Sequence, residues 1–230
     1  MQNTSLQTAL WFYSGADYLI VNALLWRNTQ ALEACLKIVW DNNRAVIQEA
    51  RQSTPEKRFS GCGLDAAALY ESYLSRTPEA FTEEAKHRMI DQAILDIRCI
   101  CSAMHAAEED LQLIRNVDAR FAIGRAAVGE TVELLGLTST STTGQLIDYG
   151  KNEQQKPDQI LRIRVPAGLP ALRLEDDRER EVLLPPMAYR VLDRRTENGA
   201  DTLWLEAVKP LNLEQLICAA KFEWEKRRKC

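Results

Sequence analysis

The spacing of apolar residues divides the chain into a helical first part and a strand-rich second part. Between residues 6 and about 107, apolar side chains recur every three or four positions, as in the segment 32–40, and this spacing predicts amphipathic helices. Asp17, three residues after Ser14, predicts a capping box at the start of one of them. We expect four or five helices, separated where glycine or proline interrupts the pattern, at residues 14–15, 60–63 and 77–78.

After Asp110 the pattern changes to short runs of β-branched and aliphatic residues. These runs predict strands at 111–117, 131–135, 160–165, 171–174, 181–184, 189–192 and 202–208. An amphipathic helix is expected to follow, from about residue 213 to 227. No linker separates the halves, so we expect one α+β domain over 1–230, with a helical part at 1–108 and a sheet region with its C-terminal helix at 109–230.

Composition and charge narrow the class of protein. The chain has 230 residues, of which 46% are hydrophobic and 27% charged, as in an ordinary globular protein with one sizeable core. The net charge of -4 disfavours broad binding to nucleic acid, although the basic run 226–229 could contact an acidic partner. The apolar stretch 9–26 contains several polar residues, so we expect neither a signal peptide nor a membrane span.

The cysteines do not predict a metal site. There are six of them, without a Cys-x-x-Cys spacing, and only two histidines could join them as ligands. Most lie within helix-like apolar stretches. We interpret them as reduced thiols in the core.

An arginine in the sheet region is the first candidate for chemistry. Arg115 follows Leu113 and Ile114 at the predicted end of a strand. The planar fork of its guanidinium could hold a diphosphate with two hydrogen bonds, which lysine does less well. The alternative is a surface ion pair, the commoner role of a single arginine.

A hydroxyl-bearing run is the second candidate. Ser139, Thr140 and Ser141 follow Gly136 and Leu137 on a predicted strand. Alternation along the strand would place the two serines on the same face. The alternative is an ordinary edge strand whose hydroxyl groups pair with a neighbouring strand.

Two glutamates form the third candidate. Glu179 and Glu181 lie two residues apart, just before Val182 and the apolar run that follows it. If this segment is extended, both carboxylates face the same way, roughly 7 Å apart. A solvated charged loop would explain residues 175–178 but not the abrupt apolar run after Glu181.

These three segments, in this order, resemble the mono-ADP-ribosyltransferases of the arginine, Ser-Thr-Ser, Glu-x-Glu class, which includes clostridial binary toxins and vertebrate ecto-enzymes. The toxin branch of that family has two tyrosines five residues apart and an asparagine four residues further on. Tyr13, Tyr18 and Asn22 are similar in type and spacing. The resemblance therefore covers about residues 13–208.

The resemblance implies a fold in which N-terminal helices pack on a mixed two-sheet β core, and NAD as co-substrate without a metal. Glu181 would stabilise the oxocarbenium-like ribose that forms when the nicotinamide bond breaks, the problem that glycosidases solve with a carboxylate. Ser139 would orient Glu181, and Glu179 would engage an arginine acceptor. The remaining residues implied to bind NAD are Arg115, Asn116, Thr140, Ser141, Tyr13, Tyr18, Asn22 and Tyr149. Tyr149, expected to stack on nicotinamide, could instead be a tyrosine that packs in the core or a loop.

Three departures from the family pattern bear on the acceptor. Asn116 stands where glycine is common, Leu137 replaces an aromatic residue, and the loop before Glu179 has no aromatic residue. The missing loop aromatic leaves the choice of acceptor open. The Glu-x-Glu pattern implies a protein arginine, and a hydroxyl side chain, a nucleic acid or water, as in an NAD glycohydrolase, are the alternatives. A binding module without turnover is a further alternative, disfavoured because Arg115 and the serine and glutamate motifs are intact.

The resemblance also carries expectations about cellular context. A toxin or effector, encoded by a bacterium or phage, would act in the cytoplasm of the producing cell or of a target cell after translocation. Its partner would be a macromolecular acceptor, more readily a protein than a nucleic acid, and no membrane is expected to be involved. The helical half could bind an inhibitory or antitoxin partner.

Overall fold

A computed structural model describes residues 5–117, 123–143, 158–174, 180–197 and 199–227. The chain divides into two compact units, one of Met1–Ala103 with Leu213–Cys230 and one of Met104–Asn212. The first unit is helical and the second holds the strands. The last helix is thus grouped with the other helices, although the sequence placed it in the sheet region. A single domain over 1–230 stays a prediction.

The helical unit contains more helices, and more breaks between them, than the sequence predicts. Beside a five-residue π-helical turn at Tyr13–Asp17, its α-helices are α1 (Leu6–Phe12), α2 (Tyr18–Leu25), α3 (Thr29–Gln52), α4 (Pro55–Arg58), α5 (Ala66–Arg76), α6 (Glu83–Ser102) and α7 (Leu213–Arg227). The expected breaks at 60–63 and 77–78 are confirmed. Gly61 and Gly63 both have positive φ there, a conformation that glycine adopts at little cost.

Capping side chains account for most helix starts. The side chains of Ser5, Asn28, Asp65 and Thr82 each accept a hydrogen bond from a backbone N–H three residues on, at the first turns of α1, α3, α5 and α6. Each of these bonds satisfies a donor that the helix itself leaves unpaired. Asn28 also marks a break, after α2, that the apolar spacing did not predict.

The predicted break and capping box at Ser14-Gly15 are wrong. The backbone stays helical from Leu6 to Leu25 and widens into a π-helical turn at Tyr13–Asp17. Asp17 makes no capping hydrogen bond, and its side chain is buried. A π-helical turn inserts one extra residue per turn, which accommodates the glycine without ending the helix.

The described residues of the second unit form one mixed sheet of nine strands. The strands are β1 (His105–Ala106), β2 (Leu111–Val117), β3 (Thr131–Leu134), β4 (Thr138–Ser141), β5 (Gln159–Val165), β6 (Pro170–Arg173), β7 (Glu181–Leu184), β8 (Met187–Glu197) and β9 (Ala200–Pro210). Their order is β1-β6-β7-β4-β2-β5-β9-β8-β3. Strands β5 and β9 pair in parallel, and the other neighbours are antiparallel.

The middle of this sheet is its weakest junction. A single register pair, Ile114 with Ser141, joins β2 to β4. The sheet therefore consists of a group of four strands and a group of five strands that part at this junction. The expected fold class, α+β with N-terminal helices and a mixed β core, is confirmed. The described strands form one sheet with a weak junction and not the two sheets that were expected.

Alternating apolar residues form the core of the sheet unit. Leu111, Leu113 and Val117 of β2 cluster with apolar side chains of β5, β7, β8 and β9. Because a strand exposes successive side chains on opposite faces, this pattern fixes which residues of each strand face the core. The sequence predicted β2 and β7 with their observed bounds, did not predict β1, and ended β8 five residues too early.

Two expectations about the whole chain can be compared with the described residues. In that part of the chain no helix is long and apolar enough to cross a membrane. The cysteines described, Cys35, Cys62, Cys99, Cys101 and Cys218, form no disulfide, but none is fully buried and Cys218 is exposed. The interpretation of these cysteines as thiols buried in the core is therefore wrong.

Candidate active site

The first feature of the candidate site is the opening between β2 and β4. If the antiparallel ladder continued beyond the pair of Ile114 and Ser141, Asn116 would lie opposite Ser139. No such pair forms. The guanidinium of Arg115 takes the place of a backbone donor, since its Nη1 donates to the Ser139 carbonyl oxygen at 3.2 Å. Arg115 therefore reaches the serine motif where the two groups of strands part.

The serine motif and the last glutamate meet across β4 and β7. Ser141 pairs with Glu181, and Ser139 pairs with Leu183. Ser139 and Glu181 therefore share a face as diagonal neighbours. The Ser139 hydroxyl donates a short hydrogen bond to Oε1 of the Glu181 carboxylate. Arg115, Ser139 and Glu181, from three strands, form a continuous chain of contacts.

Arg115 is placed differently from an ordinary surface arginine. It lies within β2, two residues before the strand ends and not at its end as predicted. By alternation it shares a face with the core residues Leu113 and Val117, and it is half-buried. Its hydrogen-bond acceptor among the described residues is the Ser139 carbonyl, and it makes no ion pair with them. A guanidinium has five N–H donors, so most of them remain for a ligand.

Of the other sheet residues implied to bind NAD, Asn116 has an unsatisfied side-chain oxygen, whereas the hydroxyl groups of Ser141 and Thr140 already make hydrogen bonds within the sheet unit. Asn116 is half-buried, and its side-chain Oδ1 has no hydrogen-bond partner in the described part of the chain. Ser141 is buried, and its hydroxyl accepts a hydrogen bond from the Thr143 backbone N–H at 3.1 Å. Thr140 faces away from the serines, and its hydroxyl donates to the Val182 carbonyl at 2.6 Å. Thr140 thus ties β4 to β7.

The residue before Glu181 departs from the extended geometry that the sequence suggested. Arg180 has a φ of 48°, in the left-handed region that residues other than glycine seldom adopt. The condition for the two carboxylates to face the same way, an extended segment, is therefore not met at Arg180. Glu179 itself and Tyr149 lie outside the described residues. Strained backbone of this kind is often found at functional sites.

The residues of the helical unit that carry the resemblance lie on and beside the π-helical turn. Tyr13 begins this turn and is buried, whereas Tyr18 follows it and is 42% exposed. Their rings meet edge to face, with centroids 6.3 Å apart. Asn22 lies on α2, and its buried Oδ1 has no hydrogen-bond partner among the residues described. Turns of the π type are frequent at functional sites.

The sequence interpretation missed a charged group beside these tyrosines. Asp17, Arg76 and Asp96 are all buried, and Arg76 contacts both carboxylates. They lie on the π-helical turn, α5 and α6, far apart along the chain. Asp17 is a charged residue inside an apolar helical run, which could have indicated a buried ion pair. It was instead interpreted as part of a capping box.

The described residues were also compared with the requirements of a metal site and of a ligand groove. Within the described ranges no group of three or more His, Cys, Asp or Glu side chains could hold a metal ion. A groove of about 360 Å³ crosses the sheet beside Thr142 and is lined by Arg162, Arg164 and Trp204. Both arginines already pair with carboxylates there. We assign this groove no role.

Comparisons with known proteins find distant structural similarity only. No protein-family model and no curated protein matches the chain. The catalytic domain of VahC from Aeromonas hydrophila has a TM-score of 0.47 at 18% identity, with 90% of this chain and 99% of that chain covered. The ADP-ribosyltransferase Vis in complex with agmatine has a TM-score of 0.45 at 14% identity, with 90% and 76% covered.

A third similar structure is the enzymatic component C2-I of the C2 toxin from Clostridium botulinum. Its TM-score is 0.41 at 14% identity, and the match covers 74% of this chain but 44% of that chain. These similarities are distant, so the function proposed for this chain comes from its own residues.

Proposed function

We propose that this protein is an NAD-dependent mono-ADP-ribosyltransferase. The observation that carries the proposal is the chain of contacts from Arg115 to Ser139 and from Ser139 to Glu181. An arginine with spare donors, an orienting hydroxyl and a carboxylate come from three separate strands to one opening in the sheet. NAD presents a diphosphate and a ribose whose C1′ becomes positively charged as nicotinamide leaves. The three side chains match those parts in chemistry.

Glu181 is the residue that we assign to the bond-breaking step. The bond between ribose C1′ and the nicotinamide nitrogen breaks, its electron pair returns to the ring, and nicotinamide leaves as a neutral molecule. The oxocarbenium-like ribose that results is stabilised by a nearby carboxylate, as in glycosidases. The Ser139 hydroxyl holds Oε1 of Glu181. A carboxylate fixed in advance stabilises the developing charge without reorganising.

Arg115 is the residue that we assign to the diphosphate. Its guanidinium is half-buried, and its hydrogen-bond acceptor in the described part of the chain is one backbone carbonyl. Partial burial strengthens a charge-assisted bond to phosphate oxygens, and the planar fork favours two such bonds. Asn116 follows on β2 and by alternation shares a face with Ser139 and Glu181. Its side-chain oxygen has no hydrogen-bond partner among the described residues. It could accept a hydrogen bond from the nicotinamide carboxamide.

Tyr13, Tyr18 and Asn22 of the helical unit keep the NAD-binding role that the family resemblance implies. Tyr13 and Tyr18 form an edge-to-face pair, and Tyr18 has an exposed ring. An exposed ring beside a buried one can stack on a planar base or nicotinamide. The buried Oδ1 of Asn22 lacks a partner among the described residues and could accept a hydrogen bond from the same ligand. Tyr149 keeps its proposed contact with nicotinamide.

The proposed acceptor is an arginine side chain of a protein. One of its guanidinium nitrogens would bond to C1′ and lose a proton, which Glu179 would help to remove. Transfer to a Ser or Thr hydroxyl, to nucleic acid or to water is the second candidate. The observation that favours it is the absence of an aromatic residue from positions 175–179, where an acceptor protein would be met.

The test is to incubate the purified protein with NAD labelled in the adenosine part and with a cell lysate. Nicotinamide release and label in protein and nucleic acid are measured for the wild type, Glu181→Gln and Glu179→Gln. Loss of an electrostatic partner of this kind costs roughly a hundredfold or more, so Glu181→Gln should lower release by that factor. Glu133→Gln, an exposed glutamate of β3, is the matched control.

Each outcome assigns or removes part of the proposal. Label in protein that is lost with both glutamine variants and is released by neutral hydroxylamine supports the arginine acceptor, whereas protein label that resists hydroxylamine supports a Ser or Thr hydroxyl. Label released by nuclease supports a nucleic acid acceptor, and nicotinamide release without label transfer supports a glycohydrolase. Release that survives Glu181→Gln unchanged would contradict the role of Glu181, and no release from the wild type would contradict the enzyme.

A further inference from the structure

The helical unit buries three charged side chains, one of which lies on the π-helical turn that begins at Tyr13. Asp17, Arg76 and Asp96 are 6%, 5% and 0% exposed. We call them the buried charge cluster. Two carboxylates and one guanidinium carry a net negative charge when both acids are ionised. An unbalanced charge is costly in a protein interior, so the cluster favours a state in which one acid holds a proton.

The contacts of Arg76 show which acid is the weaker partner. Asp96 accepts two hydrogen bonds from the guanidinium, the longer of them from Nη2 to Oδ1 at 3.0 Å. The Gln92 amide also donates to Asp96 Oδ1, at 3.3 Å. Asp17 has one longer contact, from Arg76 Nη1 to Oδ2 at 3.4 Å. Asp17 is therefore the carboxyl group that more readily keeps a proton.

The surroundings of Asp17 strengthen this tendency. The Phe12 ring lies 3.8 Å from the Arg76 guanidinium carbon and packs on Tyr73, so it shields the cluster from water. Burial raises the pKa of Asp17 to about 7, with Asp96 adding to the rise and Arg76 opposing it. Tyr73 on α5 also lies within range of the Asp17 charge, with Arg58 close to Tyr73. Burial raises the pKa of Tyr73 above its ordinary value, so Tyr73 keeps its proton near neutral pH.

Asp17 is joined to the tyrosine pair by the turn that contains it. Tyr13 is the first residue of the π-helical turn, Asp17 is the last, and Tyr18 follows. In a regular α-helix each residue adds about 100° of rotation. The extra residue of a π-helical turn therefore sets which way Asp17, and Tyr18 after it, point relative to Tyr13. Asp17 also contacts Arg76 of α5, so its position links the turn to a second helix.

We propose that the buried charge cluster positions Tyr13 and Tyr18 for the nicotinamide dinucleotide, and that a single proton on Asp17 switches the cluster between a tight and a loosened state. The inference rests on the proposed function for its ligand. With the proton in place the cluster is neutral and the π-helical turn is held. When the proton leaves, Asp17 carries a charge that burial disfavours more than Arg76 compensates. The turn then loosens, and the tyrosine pair loses its fixed geometry.

The expected consequence is a pH dependence of NAD binding. We expect KM for NAD to rise roughly fivefold between pH 6 and pH 8, the lower end of typical coupling between sites. The effect falls on KM and not on kcat, because the cluster does not touch the reacting atoms. Asp17→Asn keeps the shape of the side chain without a titrating proton. Its KM should stay at the low-pH value of the wild type throughout.

The experiment combines this kinetic profile with a measurement that needs no turnover. The protein is labelled with fluorotyrosine, and its ¹⁹F spectrum is recorded from pH 5.5 to 8.5, with Tyr13→Phe and Tyr18→Phe to assign the signals. Both signals should shift together in the wild type, with a midpoint near 7, and not in Asp17→Asn. Asp41→Asn, which alters an exposed ion pair of α3, is the control and should behave as the wild type.

The two measurements separate the inference from the proposed function. Tyrosine signals that titrate in a protein without NAD turnover would support the positioning device and contradict the enzyme. Tyrosine signals that stay constant over this range in the wild type would overturn the inference, whether or not the enzyme is active. A KM profile that is the same in wild type and Asp17→Asn would overturn the link to NAD. The wild-type spectrum decides even if Asp17→Asn does not fold.

Discussion

Each unit of the molecule removes charged side chains from water, but the two do so in different ways. In the sheet unit Arg115 and Glu181 are half-buried, come from different strands, and Arg115 has donors left over. In the helical unit Arg76 and Asp96 are fully buried and bind each other with two hydrogen bonds. Charges with spare bonding capacity suit a ligand, whereas charges that satisfy one another hold a structure in place. The comparison predicts activity losses in one unit and stability losses in the other.

The largest effect is expected from the helical unit. Arg76→Met removes the only cation of the buried charge cluster in the described residues and leaves two carboxylates facing each other. Breaking a buried pair in this way costs about 3–5 kcal/mol of the free energy of unfolding. Urea denaturation followed by circular dichroism measures this loss. Lys37→Met, which breaks an exposed pair with Asp41, is the control and should cost well under 1 kcal/mol.

The dependence of stability on pH distinguishes the two units next. A carboxyl group whose pKa is higher in the folded than in the unfolded protein binds its proton more tightly when folded. The stability that Asp17 contributes is therefore fully present below its unfolded pKa of 3.8 and is lost as pH rises through about 7. The direction is the same for Asp96, whose pKa burial also raises.

The measurement is the free energy of unfolding from pH 5 to pH 7.5 in wild type and Asp17→Asn. Acids with lowered pKa values, such as Asp110 and Asp201, are ionised by pH 5 and add no slope above it. The wild type should lose up to about 1.4 kcal/mol more per pH unit than the variant between pH 5 and 7. Parallel curves would mean that Asp17 does not carry this proton.

The sequence predicted the elements that depend on local patterns but not the contacts that depend on how distant segments pair. The strand at Leu111–Val117, the strand at Glu181–Leu184 and the final helix were predicted with their observed bounds, because alternation and helical spacing are local properties. The candidate residues Arg115, Ser139 and Glu181 were identified because each stands in a short motif. Their convergence at one opening depends on the order of strands, which local patterns do not specify.

The helical unit shows where such reasoning ends. Asp17 was interpreted as a cap because Ser14 and Gly15 precede it, yet its partner Arg76 lies 59 positions away. Nothing near Arg76 or Asp96 in the sequence marks them as more than charged positions on helices α5 and α6. A π-helical turn also has no sequence signature as clear as a capping box. Pairing between distant charged residues had to be seen in three dimensions.

In the sheet unit, the proposed binding of the NAD diphosphate by Arg115 can be tested by a conservative substitution. Arg115→Lys keeps the charge but replaces a planar fork by a single ammonium group. Loss of one charge-assisted bond of this kind corresponds to about tenfold in affinity, so KM for NAD should rise about tenfold with the free energy of unfolding little changed. Arg190→Lys, an exposed position on β8, is the control. An unchanged KM would contradict the contact with the diphosphate and leave Arg115 with a structural role only.

The smallest effect is expected at Thr140, which the family resemblance implied as a residue that binds NAD. Its hydroxyl donates to the Val182 carbonyl and faces away from Ser139 and Glu181. Thr140→Val keeps the shape and removes this bond between β4 and β7, which should cost about 1 kcal/mol of stability. NAD turnover per folded molecule should stay within twofold of the wild type, because Ser139 and Glu181 remain in register. A larger loss of turnover would mean that the placement of the serine motif depends on this one hydroxyl, and the division between a ligand-binding face and a structural face of β4 would fail.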